Sequence, residues 1–97
     1  MHVISKQRLT AYWRDHADAE RPLRDWFTLM QRGTFPDFAS VRATWGSADY
    51  VDGLVVFNIG GNKYRLIANI EYERGQVYIL HILTHAEYNR DTWKRGS

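Results

Sequence analysis

Two short stretches, NIGGNKYR at residues 58–65 and THAEYN at 84–89, gather side chains that handle phosphate and protons. Arg65 and Lys63 carry fixed positive charge, and charge aimed at a developing oxyanion is often the largest single contribution to a rate. His85 exchanges a proton near neutrality, where its ordinary pKa of about 6.5 lies. Tyr88 offers a hydroxyl and a ring face on which a base can stack, and Asn58 and Asn62 can orient a phosphate or a neighbouring side chain. Cleavage of an RNA phosphodiester asks for such a set. One group takes the 2′-hydroxyl proton, cations neutralise the phosphorane-like transition state, and an acid protonates the departing 5′ oxygen. Each residue also has a purely structural reading. Arg65 can pair with Glu71 or Glu73, Lys63 can be an ordinary edge-of-turn charge, and Asn62 can satisfy a hairpin turn. His85 can start a helix, and Tyr88 can lie as a lid over Leu80 or Ile82.

No metal centre is expected. His81 and His85 are four apart but straddle a strand-to-loop boundary, and no Asp or Glu has the companion spacing of a zinc motif. The chain contains no Cys, which excludes disulfides and thiolate ligands. With no cofactor expected either, the chemistry rests on protein charge and proton transfer. A formal net charge of +2 admits a polyanionic partner without requiring one. Lys6, Arg8, Arg14, Arg21, Arg24 and Arg32 read as solvated helix faces, some able to touch phosphate. Trp93, Lys94 and Arg95 add an aromatic and two cations near the end, with Lys94 and Arg95 as candidate RNA contacts. The stretch MHVISKQRL lacks a signal-peptide core, and no run approaches the roughly 18 apolar residues of a membrane span. A cytoplasmic protein with no membrane partner is the expectation.

The elements that must position these residues follow from hydrophobic spacing. The 97 residues suit one domain, 1–97, with one core. His2 to Ile4 reads as a short edge strand or lead-in. Ser5 is placed as the N-cap of a first helix in which Leu9, Tyr12 and Trp13 recur at helical spacing. Ala19, Leu23, Trp26, Phe27 and Met30 form the stripe of a second helix, with Pro22 in its first turn and Gly33 at its stop. Asp37 caps a brief third helix through Phe38 and Val41, and Tyr50 with Val51 reads as a minor strand. The period then changes to two. LVVFNI, KYRLIANIEYE and QVYILHILT form a three-stranded antiparallel meander, with two-residue turns at Gly60-Gly61 and Arg74-Gly75. The last stretch, HAEYNRDTWKRGS, is either a helical turn or an extended segment across the sheet.

With those turns, Val55, Phe57, Tyr64, Leu66, Ala68, Ile70, Tyr72, Val77, Ile79, His81 and Leu83 share the core face, where the helices pack in a two-layer α+β arrangement. His81 on that face is expected to be a hydrogen-bonded core histidine. Asn58, Lys63, Arg65 and Thr84 fall on the opposite, uncovered face, because burying an unpaired guanidinium costs several kcal/mol.

The segments VFNIGGNKYRLIANI and VYILHILTHAEYN closely resemble the HigB family of bacterial type II toxins, a branch of the RelE-like superfamily. The resemblance implies an mRNA endonuclease that acts on translating ribosomes in the A site and is held inactive by a cognate helix-turn-helix antitoxin of the HigA kind. It implies that promoter DNA is reached only through the antitoxin. The implied fold packs N-terminal helices against a curved antiparallel sheet whose concave face holds the active site. Carried onto this chain, the family's basic strand residue falls on Arg65 with Lys63 before it, its TH histidine on His85, and its aromatic hydroxyl on Tyr88. Asn62 belongs to the GN motif. The alternatives are a module that binds RNA or the ribosome without cutting, and an inactive partner of the antitoxin.

Overall fold

The structure, a computed structural model, describes residues 1–94. The chain runs β1 (His2–Ile4), α1 (Lys6–Asp15), a 3-10 turn (Ala17–Ala19), α2 (Glu20–Arg32), α3 (Phe38–Thr44), β2 (Asp49–Val51), β3 (Leu54–Ile59), β4 (Tyr64–Glu71), β5 (Gln76–Thr84) and α4 (His85–Asn89). The stripe of α2 is buried at Leu23, Trp26 and Met30, and Gly33 closes the helix by donating its N–H to the Leu29 carbonyl. α3 begins at a capping box, in which the Asp37 carboxylate accepts from the Ser40 N–H and the Ser40 hydroxyl from the Asp37 N–H. Ser5 does not cap α1. It adopts a left-handed conformation, φ 73°, and its side chain makes no capping bond, because the chain reverses from β1 into α1 at this one residue.

The five strands lie in the order β1-β5-β4-β3-β2, with β1 parallel to β5 and every other pair antiparallel. The N-terminal helices cover one face. Leu9, Leu23, Trp26, Met30 and Val41 pack there against Val55, Phe57, Leu66, Ala68, Val77 and Ile79. Each large side chain removed from water in this way contributes about 1.5–3 kcal/mol, so this layer supplies the main driving force for folding.

Both hairpin turns are longer than two residues. Ile59 pairs with Tyr64 and Glu71 with Gln76, which leaves residues 60–63 and 72–75 as the turns. Gly60 and Gly61 take φ of 62° and 70°, a region in which a β-carbon is strained. This moves the register by two residues, and a period of two keeps every β4 side chain on its expected face. A single extra residue in β5 has the opposite effect. Ile67 pairs with His81 but Ala68 pairs with Ile79, so Leu80 bulges. Past the bulge the two faces of β5 exchange. His81 and Leu83 pair with Ile67 and Arg65 on the face away from the helices, while Ile82 pairs with Leu66 on the helix side. The core histidine expected at His81 is therefore a half-buried residue of the other face. Burial, followed by the nearby Arg8 charge, lowers its imidazole below the ordinary histidine range.

That second face is not uncovered. Leu54, Val56 and Ile67 are buried in a small cluster with Trp93, and Val51, Leu80, Leu83 and Tyr88 pack around them. The segment after α4 thus lies across the sheet and closes an apolar patch that alternation alone leaves facing water.

Candidate active site

Arg65 is the second residue of β4, and the pleat turns it to the face away from the helices, opposite Asn58 on β3 and Leu83 on β5. It is only 7 % exposed, not solvated as its place in the sequence suggests. A guanidinium is tolerated at such depth when its donors are bonded. Nη1 donates to the Asn62 carbonyl at 3.2 Å and to the Tyr64 carbonyl at 3.1 Å, and Nη2 lies 3.2 Å from Nδ1 of His85. The guanidinium carbon is 5.5 Å from the centre of the Tyr88 ring. The ion pair with Glu71 or Glu73 is not formed; carbonyls, an imidazole and a ring take its place. A guanidinium can only donate, so the contact to His85 requires Nδ1 to accept, which puts the proton of a neutral ring on Nε2.

His85 reaches Arg65 because α4 starts there. Thr84 and Glu87 form a capping box: the Glu87 carboxylate accepts the Thr84 N–H at 2.8 Å, and the Thr84 hydroxyl accepts the Glu87 N–H at 3.2 Å. The Thr84 backbone bond is the main reason the Glu87 carboxyl is held below the usual glutamate range. The His85 N–H, free of any bond within its own helix, donates to the Lys63 carbonyl at 3.0 Å. Residues three apart share a helix face, so His85 and Tyr88 both meet Arg65 while Glu87 points elsewhere. His85 itself is exposed, so Arg65 is approached from solvent past its imidazole.

Tyr88 sits between two groups. Its ring stacks on that of Trp93 with centroids 5.0 Å apart and planes 17° from parallel, and the Trp93 indole N–H donates to the Tyr88 carbonyl at 2.9 Å. The Trp93 contact thereby fixes the ring that lies against Arg65.

The other candidates are placed differently. Lys63 is in the turn, not in β4, and its ammonium lies 3.2 Å from the Asp18 carboxylate on the helix-covered side of the sheet, with both side chains largely exposed. It joins the cluster through its carbonyl and not through its charge. Asn58 is half-buried beside Arg65, whereas Asn62 is exposed and contributes its carbonyl. The Lys94 ammonium is 3.4 Å from the Asp91 carboxylate and 5.9 Å from the centre of the Trp93 ring, and Arg95 lies outside the described residues. Among the described residues no cluster of three or more His, Cys, Asp or Glu could hold a metal ion, and no helix is long and apolar enough to cross a membrane. Asp18 and the packing role of Trp93 carry no sequence signal. One is an ordinary acid in a short 3-10 turn, and the other follows a helix too brief to show periodicity.

The known proteins that this chain resembles include toxins. Residues 19–91, which include Arg65, His85 and Tyr88, match the family model described as HigB_toxin, the RelE-like toxic component of a toxin-antitoxin system. The mRNA interferase toxin HigB of Escherichia coli (strain K12) is 30 % identical over 92 residues, covering 92 % of this chain and 88 % of the relative. The mRNA interferase HigB of Shigella flexneri is similar to the same extent. That of Escherichia coli O6:H1 is 27 % identical over 95 residues, covering 95 % of this chain and 92 % of the relative. With one family model spanning most of its length, the chain belongs to the HigB family of RelE-like toxins, the toxic components of toxin–antitoxin systems.

Proposed function

We propose that this toxin is an endoribonuclease that cuts mRNA in the ribosomal A site, and that Arg65, His85 and Tyr88 form its cutting centre. The observation that carries the assignment is the 3.2 Å contact between the Arg65 guanidinium and Nδ1 of His85, which couples a phosphate-binding cation to a proton-transfer group on a solvent-facing edge. An RNA phosphate competes with Nδ1 for Arg65, since a guanidinium bonds an oxyanion more strongly than a neutral nitrogen. Once the guanidinium turns to the phosphate, Nδ1 is free to accept a proton from the 2′-hydroxyl. The 2′ oxygen then forms its bond to phosphorus as the bond to the 5′ oxygen breaks; the leaving oxygen takes a proton from water, and His85 returns the proton it accepted to solvent. The products are a 2′,3′-cyclic phosphate, which can open to a 3′ phosphate, and a 5′-hydroxyl. Arg65 neutralises the added charge in between. Tyr88 packs its ring against the guanidinium, 5.5 Å from carbon to ring centre, and helps to hold it in place. Lys63 contributes through its backbone: its carbonyl holds the His85 N–H while its ammonium stays paired with Asp18.

The RelE-like arrangement of helices behind the sheet and catalysis on its other face is consistent with this reading. The antitoxin is then a helix-turn-helix protein of the HigA kind, and promoter DNA is contacted through it. Cleavage of a defined message by the purified toxin, with and without ribosomes, tests the proposal. New message ends within A-site codons are expected only with ribosomes, and folded Arg65→Ala and His85→Ala proteins are expected to produce none. Arrest of translation by wild type without new ends favours a module that binds and does not cut. Undiminished cutting by folded Arg65→Ala removes Arg65 from its role.

A further inference from the structure

The backbone that frames this site is gripped from the other side of the sheet. Three successive carbonyls, those of Asn62, Lys63 and Tyr64, accept from Arg65 Nη1, the His85 N–H and Arg65 Nη1 respectively. Two of these residues, Lys63 and Tyr64, send their side chains the opposite way, and both end on one carboxylate. Asp18 accepts the Tyr64 hydroxyl at 2.5 Å on one oxygen and the Lys63 ammonium at 3.2 Å on the other. The Tyr64 ring is also packed edge-on by Tyr12 at 5.6 Å and His16 at 5.7 Å, themselves stacked at 4.1 Å. The turn carrying these carbonyls contains two glycines at positive φ and has little stiffness of its own.

We infer that Asp18 is a positioning residue for the cleavage reaction: by holding Lys63 and Tyr64 from the helix side, it fixes the 62–64 carbonyls that aim Arg65 and His85. Asp18 touches none of the reacting groups. It acts through one strand residue and one turn residue whose backbones face the site. The Tyr64 hydroxyl, then the Lys63 ammonium, keep its carboxyl below the ordinary aspartate range, so it is ionised at neutral pH and accepts both bonds. The geometry also explains why the Lys63 ammonium is turned from Arg65 in the free protein: its side chain serves as a tether.

The inference rests on the Arg65–His85 assignment, and its test separates the two. Full-length toxin carrying Asp18→Ala, Asp18→Asn, Tyr64→Phe, Arg65→Ala or His85→Ala is assayed on ribosomes bearing a defined message, with the cutting rate at saturation and the half-saturating ribosome concentration measured separately. Melting is followed in parallel. Misplacement by about an ångström costs up to about a hundredfold in rate, so Asp18→Ala is expected to cut at least about tenfold more slowly at saturation, with half-saturation changed less than about twofold. Asp18→Asn and Tyr64→Phe, which each keep one of the two bonds, are expected to fall between Asp18→Ala and wild type. Saturated rates within about twofold of wild type for Asp18→Asn and Tyr64→Phe, both folded, overturn the inference even if Asp18→Ala fails to fold. Faster cutting by Asp18→Ala also overturns it, because Asp18 would then be restraining Lys63. If folded Arg65→Ala and His85→Ala cut like wild type, the site assignment fails; if they are inert while the Asp18 variants cut normally, only the positioning role fails.

Discussion

At the scale of single residues, the guanidinium of Arg65 spends its donors on two carbonyls and an imidazole, so its shape matters as much as its charge. Arg65→Lys keeps the charge and loses the fork. We expect cleavage to fall by about 10²–10³-fold, the usual loss when one transition-state donor is removed, with the melting point used to check folding. A second residue-scale outcome concerns acid. The carboxyls of Asp18 and Glu87 both lie below their ordinary range. A depressed carboxylate binds fewer protons in the folded chain than in the unfolded one, so its stabilisation is present above the unfolded value and is lost as pH falls through the folded one. Melting temperature is therefore expected to drop as pH goes below about 4, and less steeply in Asp18→Asn than in wild type. Residue types alone mark Arg65, His85 and Tyr88 as candidates, each with a structural reading beside it; that the three meet depends on the pairing of β4 with β5 and on where α4 starts. Nor can residue types reveal that Lys63 is tethered by Asp18, since the two are 45 positions apart and nothing local links them.

At the scale of elements, α4 is the piece that brings His85 and Tyr88 together, and with five residues it is too short to persist without its capping box. Thr84→Ala is expected to cost about 1 kcal/mol of stability, read as a shift in denaturant midpoint, and to lower the cleavage rate further than Glu87→Gln, which keeps an acceptor oxygen. Helix stripes, the Asp37 cap and the Gly33 stop are legible from the sequence because they are set within a few residues. Turn length and the bulge at Leu80 are not. Glycine pairs mark a reversal without fixing its length, and an inserted residue in β5 is settled by how two strands coil together. The two-residue change in register is harmless and the one-residue change is not, which is why β4 matches its expected faces and β5 beyond Leu80 does not.

At the scale of the whole molecule, the sheet is covered on both sides, by helices on one and by the Trp93 segment on the other. Trp93 is 7 % exposed. Trp93→Ala is expected to cost about 3–5 kcal/mol, a large share of the 5–15 kcal/mol typical of a domain, and to slow cleavage by releasing Tyr88. Urea unfolding of wild type and variant checks the first, the ribosome assay the second. The parallel seam between β1 and β5 pairs His2 with Gln76 and Ile4 with Tyr78. Residues so far apart in the chain meet only after nearly everything between them has been made, and contacts of that span form slowly. The sheet is therefore closed by its first and last strands together, and His85, which follows β5 directly, gains its anchorage only once that strand is paired.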